Sequence, residues 1–600
     1  QDRTEYLANT LSDRVLHYEA PEGSSYSLEN PENTSFIYYP EGSLHKTVSY
    51  DADNKSATVF TDLQGRKILE RTPAGDTYYV YNKLGQLRFV LPPAYDNRNA
   101  SSKAIFAYEY RYDRRGRLEK KILPQVGTTQ YWYDKADRMA YMKDPALGSR
   151  YRFYLYDNLG RLCVQGTCSS AADKTSVLSV TTYEGGTSGL CKTGYTIPYA
   201  ISSPELEIVN YYDSYDFVDR NLARLTGTMP SVSVSDSQKT YCIGFQTGQV
   251  VYASNKEALA SVSLYDQKGQ LVRSVRKTLG GHVEDASFAY NSLTGALTST
   301  ETKTSVGYGS DFTAKTSYEY KYGKKTRMNL SVSHGIAVSR KTEYSYDIVG
   351  RLSSKSRQLT GSYNSSSSYS YDVHGWLRSI NSGGFQENLY YADGLDGGCY
   401  NGNISTMKWK MKDESEYKGY NLKYDGNDRL CSATYGSGNN LTGNRNYFSE
   451  SVEYDANGNI THLQRNGLTD HLHGGLHMSY VGNRLMSMHD DASHLIYAAA
   501  TDFGGTPRQV YKLTYNTAGS LVSDEGRNIA KIEYDNLGNP IRIQFTNGNV
   551  TKYVYSAAVV QMEPINPGIA IYGSNDNQPR TKLTINQLKK VVKSFQHVVT

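Results

Sequence analysis

Long apolar runs are missing from this sequence. The longest, such as Leu495-Ile-Tyr-Ala-Ala-Ala500, are strand-length, far short of the ~18 uninterrupted apolar residues of a membrane span. Charge of one sign is scarce as well. Lys and Arg number 65 against 60 Asp and Glu, a net charge of +5, too weak a balance to imply a nucleic-acid or membrane partner. The 6 cysteines, Cys163, Cys168, Cys191, Cys242, Cys399 and Cys431, include no Cys-x-x-Cys pair, so a zinc site built on them is not expected. Nor do they form a disulfide scaffold, although a turn between Cys163 and Cys168 would let those two join. A nucleophile elbow, a His-Glu-x-x-His motif, a P-loop and a dinucleotide fingerprint are all absent. No catalytic residue and no cofactor are therefore assigned, and the expectation is a protein that is not an enzyme, with the tail at 556–600 the one segment where an enzymatic reading stays open.

Tyrosine is what the chain has in quantity. There are 55 Tyr against 14 Phe and 3 Trp, with 52 Gly and 16 Pro. Nearly all of the aromatic mass thus carries a hydroxyl that needs a partner or water. At 600 residues the chain exceeds what one hydrophobic core usually serves, ~250–300 residues. Aromatic and β-branched residues spread along its length argue against disorder. A small repeated unit reconciles these facts.

That unit is Tyr, Asp or Asn, two variable residues, Gly, a polar residue and an aliphatic one. Clear copies are Tyr112-Asp-Arg-Arg-Gly-Arg-Leu118, Tyr156-Asp-Asn-Leu-Gly-Arg-Leu162, Tyr265-Asp-Gln-Lys-Gly-Gln-Leu271, Tyr346-Asp-Ile-Val-Gly-Arg-Leu352, Tyr371-Asp-Val-His-Gly-Trp-Leu377, Tyr454-Asp-Ala-Asn-Gly-Asn-Ile460 and Tyr534-Asp-Asn-Leu-Gly-Asn-Pro540. Looser copies begin at Tyr81, Tyr133, Tyr290, Tyr424, Tyr480 and Tyr515, and clean neighbours start 21 to 25 residues apart. Asp suits the first position of a type I turn, where its carboxylate accepts from turn amides. Gly then takes the last position, where a three-residue hairpin loop needs φ > 0 and a bulge. The structural residues are therefore Tyr112, Asp113, Gly116 and Leu118; Tyr156, Asp157, Gly160 and Leu162; Tyr265, Asp266 and Gly269; Tyr346, Asp347 and Gly350; Tyr454, Asp455 and Gly458; and Tyr534, Asp535 and Gly538. This register pairs Tyr with Leu and puts both on one face of the sheet, with Asp and Arg on the other.

Flanking segments such as Thr77-Tyr-Tyr-Val-Tyr81 and Tyr151-Arg-Phe-Tyr-Leu-Tyr156 alternate with period two, and helical periodicity is nearly absent before residue 580. The expected fold is all-β: a long antiparallel ribbon of Tyr-studded hairpins that must coil or close. The repeat resembles the YD repeats of the Rhs family, which includes teneurins and the shell components of insecticidal toxin complexes, over roughly nine tenths of the chain. Thr61-Asp-Leu-Gln-Gly-Arg-Lys67, Asp76–Tyr81 through Leu91-Pro-Pro93, and Glu207–Asp213 are similar to Rhs proteins of Bacteroidetes. The resemblance implies a ribbon spiralling into a partial or complete hollow β-shell, enclosing a C-terminal polypeptide (often a toxin) or presenting a surface for cell contact. The expected partners are therefore an enclosed polypeptide, another shell component, or a cell-surface glycan or protein. The Asp-Pro motif of family self-cleavage is not matched, since Asp144-Pro145 lies early. A chain opening at Gln1 suggests a processed or cut product, and the expected location is secreted or outer-surface.

Along the chain the reading is an entry segment at 1–49, a first repeat block at 50–166, an inserted or elaborated β connector at 167–256, a second block at 257–555 and a non-repeat tail at 556–600. In the tail, Leu588, Val591, Val592, Phe595, Val598 and Val599 recur at helical spacing, predicting a short C-terminal helix. Three further features have two readings each. His471, His473 and His477 include a His-x-His spacing that chelates a metal when on a strand; a polar connector is the plainer account, and no metal ligand is assigned. Arg111, Arg114, Arg115, Arg117, Lys120 and Lys121 among tyrosines look like a nucleic-acid groove, as do Lys321, Lys324, Lys325 and Arg327. Cross-strand pairing with acids, with the rings on the other face, is the better account, and no nucleic acid is expected. Tyr ladders beside Asp and Asn also suit glycan stacking in a surface adhesin, the alternative to a shell.

Overall fold

The computed structural model describes residues 2–21, 28–29, 32, 37–99, 101–171, 180–182, 190, 193–196, 201–219, 230–305, 311–334, 336–359, 364–467, 472–491, 508–555 and 570–573. The predicted C-terminal helix lies outside these residues. Thirty-eight strands form one sheet, from Arg3–Ala8 to Ala570–Gly573. Every strand pairs antiparallel with its sequence neighbours, and the first and last do not meet. A separate pair, Thr181–Thr182 with Tyr195–Thr196, stands apart from the ribbon. The protein is all-β, as the period-two alternation implies.

Because strands alternate in direction, the connections fall alternately on two edges of the ribbon. All the motif turns fall on the same edge. Tyr112 opposes Leu118, Tyr156 opposes Leu162 and Tyr346 opposes Leu352, each with a register shift just before the Tyr. One hairpin plus one return connection takes the 21 to 25 residues seen between clean neighbouring copies.

The ribbon winds. Lys55 Nζ donates to Asp428 at 2.6 Å and Asn401 Nδ2 to Asp51 at 3.0 Å. Farther along, Asn427 Nδ2 donates to Thr72 Oγ1 at 3.3 Å and Ala94 N to Asn457 Oδ1 at 3.0 Å. Arg484 then reaches the Gln125 carbonyl, Arg152 the Asn536 carbonyl, and Ser254 N the Tyr555 carbonyl. Positions on both sides of this seam rise together, so the later chain follows the earlier one in the same sense, as in a coil, instead of folding back. The partners are 347 to 373 residues apart as far as Gln125, so one circuit takes that length. Between Ser254 and Tyr555 the separation falls to 301, because the 167–256 region adds length to the first circuit alone. In every pair the first circuit offers its non-motif edge and the second its motif edge.

Packing is concentrated in the first circuit. Val15, Tyr18, Ala20 and Leu44 of the entry segment bury against Phe60, Leu69, Val80, Phe89 and Leu91. Region 167–256 supplies the strands Glu205–Tyr212 and Gln246–Tyr252 to the main sheet. It also supplies a covering layer, Val180, Tyr195, Tyr215, Phe217, Val232 and Cys242, over Phe153, Leu155, Val164 and Val262. Tyr211 stacks on Phe217 with centroids 4.3 Å apart. A Cβ on Gly248 would sit 2.3 Å from the Phe217 ring, so only glycine admits the ring there. Each fully buried ring contributes roughly 1.5–3 kcal/mol. From Leu297 to Tyr371, by contrast, only Thr342 among the described residues is buried. That stretch is a wall one sheet thick, held by ladder bonds and cross-strand pairs such as Arg327 between Glu319 and Glu343.

No turn separates Cys163 from Cys168. Both lie in the strand Leu162–Cys168 as buried free thiols, pointing to opposite faces by strand alternation, so the disulfide entertained from their spacing is corrected. No helix among the described residues is long and apolar enough to cross a membrane.

Candidate functional site

The feature repeated most often is the motif turn. In the copy at Tyr112, Asp113 N donates to the Arg117 carbonyl and Gly116 N to the Asp113 carbonyl, both at 2.9 Å. Asp113 Oδ1 accepts from the amides of Arg115 and Arg117, and Oδ2 from Arg117 Nε at 2.7 Å. The same bonds recur at Asp157, Asp347 and Asp425. The glycine takes φ of 80° at Gly116 and Gly160 and 86° at Gly350, a region open to it without penalty. Asp137 and Asp428 hold that position at 63° and 62°, which short polar side chains tolerate. Partial desolvation works against ionisation of Asp113, Asp347 and Asp425. Hydrogen bonds from the arginine and the turn amides outweigh it and hold all three below the usual carboxylate value.

The turns are also joined to one another. Many of the motif hydroxyls donate back to the carbonyl of the residue that closes the preceding hairpin, in these five copies an aliphatic one: Tyr112 to Leu87, Tyr133 to Leu118, Tyr290 to Leu271, Tyr371 to Leu352 and Tyr454 to Leu430, at 2.8 to 3.0 Å. Tyr265 and Tyr346 do the same to Gln246 and Lys325, and Tyr534 to Leu521. The motif arginine reaches forward. Arg138 and Arg351 donate to the carbonyls of Asp157 and Asp372 in the next turn, at 2.9 and 3.0 Å. Their guanidinium groups lie 4.9 and 4.8 Å from the ring centres of Tyr156 and Tyr371, a cation–π contact. Arg117 over Tyr133 and Arg429 over Tyr454 repeat it. Burial pushes the Tyr156 and Tyr534 hydroxyls up to about 12, so they are donors at neutral pH.

This geometry corrects one expectation and bears out another in part. Arg does not sit on a face remote from the tyrosines, because it covers the ring of the next repeat. In the basic clusters, Arg117 meets Asp113 across its hairpin at 2.6 Å and Arg327 meets Glu319 and Glu343 across strands at 2.9 Å, as expected, whereas Arg111 opposes Lys120 and finds its acid, Glu109, two residues along its own strand at 2.6 Å. Arg115 and Arg117 both meet Asp137 at 2.6 Å, and Lys325 lies 4.3 Å from the Tyr318 ring centre. Several rings that suggested stacking platforms are thus covered from within. Of the three histidines, the His471 residue and the His473 side chain lie outside the described residues. His477 faces His462 and His489 on the neighbouring strands.

The backward reach of the tyrosine and the forward reach of the arginine were not foreseen. One signal was available for the first: a position that only needed apolar mass would admit Phe, yet the motif copies carry Tyr throughout. The seam residues Asp51, Asn401, Asn427 and Asn457 left no comparable signal, since their partners lie some 350 residues away.

Neither a protein-family model nor a curated protein matches the sequence. Among solved structures, the chain is similar to the crystal structure of TcdB2-TccC3-Cdc42, at 15% identity and a TM-score of 0.46 over 87% of this chain and 27% of that one. TcdB2-TccC3-TEV gives 14% identity and 0.45 over 88% and 28%. The Photorhabdus luminescens Tc holotoxin pore with a TccC3 mutation gives 13% and 0.38 over 85% and 26%. The chain thus spans about a quarter of the length of those chains. At these scores the fold assignment rests on the chain's own strand pairing: a spiralling antiparallel ribbon of hairpins.

Proposed function

We propose that this chain is a non-enzymatic structural wall, a length of coiled β-shell belonging to a secreted or cell-surface protein and serving to enclose or deliver another polypeptide. The observation that carries the reading is the same-sense seam, which makes a single ribbon into stacked circuits. Twenty-three strands of the main sheet, from Ser56–Thr61 to Phe385–Tyr390, make up one circuit. At ~4.8 Å per strand that is a perimeter of ~110 Å and a diameter of ~35 Å, wide enough for a lumen once side chains are allowed for. The likeness of the turn motif to YD repeats supplies the setting, toxin encapsulation or contact between cells.

Electron microscopy of the purified chain tests this directly. Class averages should show an open ring or cup with low density at its centre, and small-angle scattering should require a hollow form. A solid globule or a string of separate lobes would refute the wall.

A further inference from the structure

A row of histidines crosses three adjacent strands of the second circuit. His462 on Ile460–Asn466 is directly opposite His477 on Leu472–Val481, which is directly opposite His489 on Arg484–Asp490. Direct opposition puts all three side chains on one face of the sheet. Their rings stack, with centroids 4.2 Å apart between His462 and His477 and 4.7 Å between His477 and His489. Asp491, two residues beyond His489, brings a carboxylate to the same place. It lies 3.0 Å from His477 Nε2 and 3.7 Å from His489 Nε2. One nitrogen from each of the two rings and one oxygen of Asp491 all fall within 4.8 Å of one another.

We propose that His477, His489 and Asp491 form a binding site for a divalent first-row transition ion of the zinc class. Two imidazoles and one carboxylate are a zinc donor set, and metal–nitrogen bonds of ~2.0–2.1 Å would be reached by drawing the three donors together by about an ångström. The three side chains are 33 to 39% exposed, so a fourth position is open to water. His462 stacks on His477 with its Nδ1 turned 3.9 Å from Glu453, which makes it a neighbour of the site and not a ligand. Arg508, 3.9 Å from Asp491, is the cation the ion displaces. Bound there, the ion clips the last two strands before residue 492 to each other and to the segment that leaves them.

The test is calorimetric titration of the intact chain with zinc chloride at neutral pH. One equivalent should bind, and His489→Ala or Asp491→Asn should weaken it by roughly tenfold or more. His17→Ala and His473→Ala should leave it unchanged. Footprinting the unmutated chain with diethylpyrocarbonate reads the site without any substitution, and zinc should protect His477 and His489 together. Absence of saturable binding, binding that survives His489→Ala, loss through His473→Ala, or equal modification of His477 and His489 with and without zinc would each overturn the assignment.

Discussion

Tyr371→Phe removes one hydroxyl and nothing else. The ring keeps its place under Arg351, 4.8 Å from the guanidinium carbon, while the 2.9 Å bond to the Leu352 carbonyl is lost. That bond is part-buried, so the freed carbonyl gains partial hydration, and the net loss should be near 1 kcal/mol, about fivefold in a local opening equilibrium. The place is well chosen because the wall from Leu297 to Tyr371 has almost no buried side chains to mask the loss. Hydrogen exchange read by mass spectrometry should show about fivefold faster exchange in peptides covering 352–359 and 364–371, with peptides covering 56–91 unaffected. Tyr322→Phe is the control: that side chain is 92% exposed and its substitution should change nothing. Equal exchange in Tyr371→Phe and the unmodified chain would refute the idea that the hydroxyls stitch hairpin to hairpin. So would acceleration spread evenly over all peptides.

Three further outcomes are expected. Gly538 has φ 83° and open space where a Cβ would be, so Gly538→Ala should cost about 1–2 kcal/mol from backbone strain alone and Gly538→Asn less, measured by local exchange across 534–545. Arg152 makes a two-pronged pair with buried Glu207 and also holds the Asn536 carbonyl at 2.8 Å. Arg152→Met should therefore cost about 3–5 kcal/mol in denaturant unfolding, with faster exchange at 535–539, and adding Glu207→Gln should recover part of it. Acid should loosen the turns. The Arg378 hydrogen bonds lower Asp393 from 3.8 to about 2, and a carboxylate depressed in the folded state gives stability that is present above its ordinary value and lost as pH falls towards the depressed one. Thermal midpoints by circular dichroism should fall between pH 3.8 and about 2, less steeply in Asp393→Asn.

The turn chemistry was legible in the sequence because everything it uses is local. Asp at one position and Gly three later determine which amides and which φ meet, whatever the rest of the chain does. The sheet followed from period-two alternation for the same reason. What escaped was all contact between units. Tyr371 touching Leu352 needs the register of two hairpins, and His462 aligning with His477 and His489 needs three strands to be set side by side. Asn401 meeting Asp51 depends on the curvature of some twenty strands. The histidine spacing drew attention to neighbours in sequence, His471 and His473, whereas the geometry joins His477 to residues 15 behind and 12 ahead.

The seam has a mechanical corollary. Around the circumference, consecutive strands are bonded at every rung and then riveted again at their tips by phenol and guanidinium. Between one winding and the next the hydrogen bonds among the described residues are scattered, as at Lys55, Asn401, Asn427, Ala94, Arg484, Arg152 and Ser254. A wall made this way resists bursting far better than it resists axial tension. Pulled end to end, it should part along the spiral like a cardboard tube, the second winding peeling off the first while each hairpin stays intact.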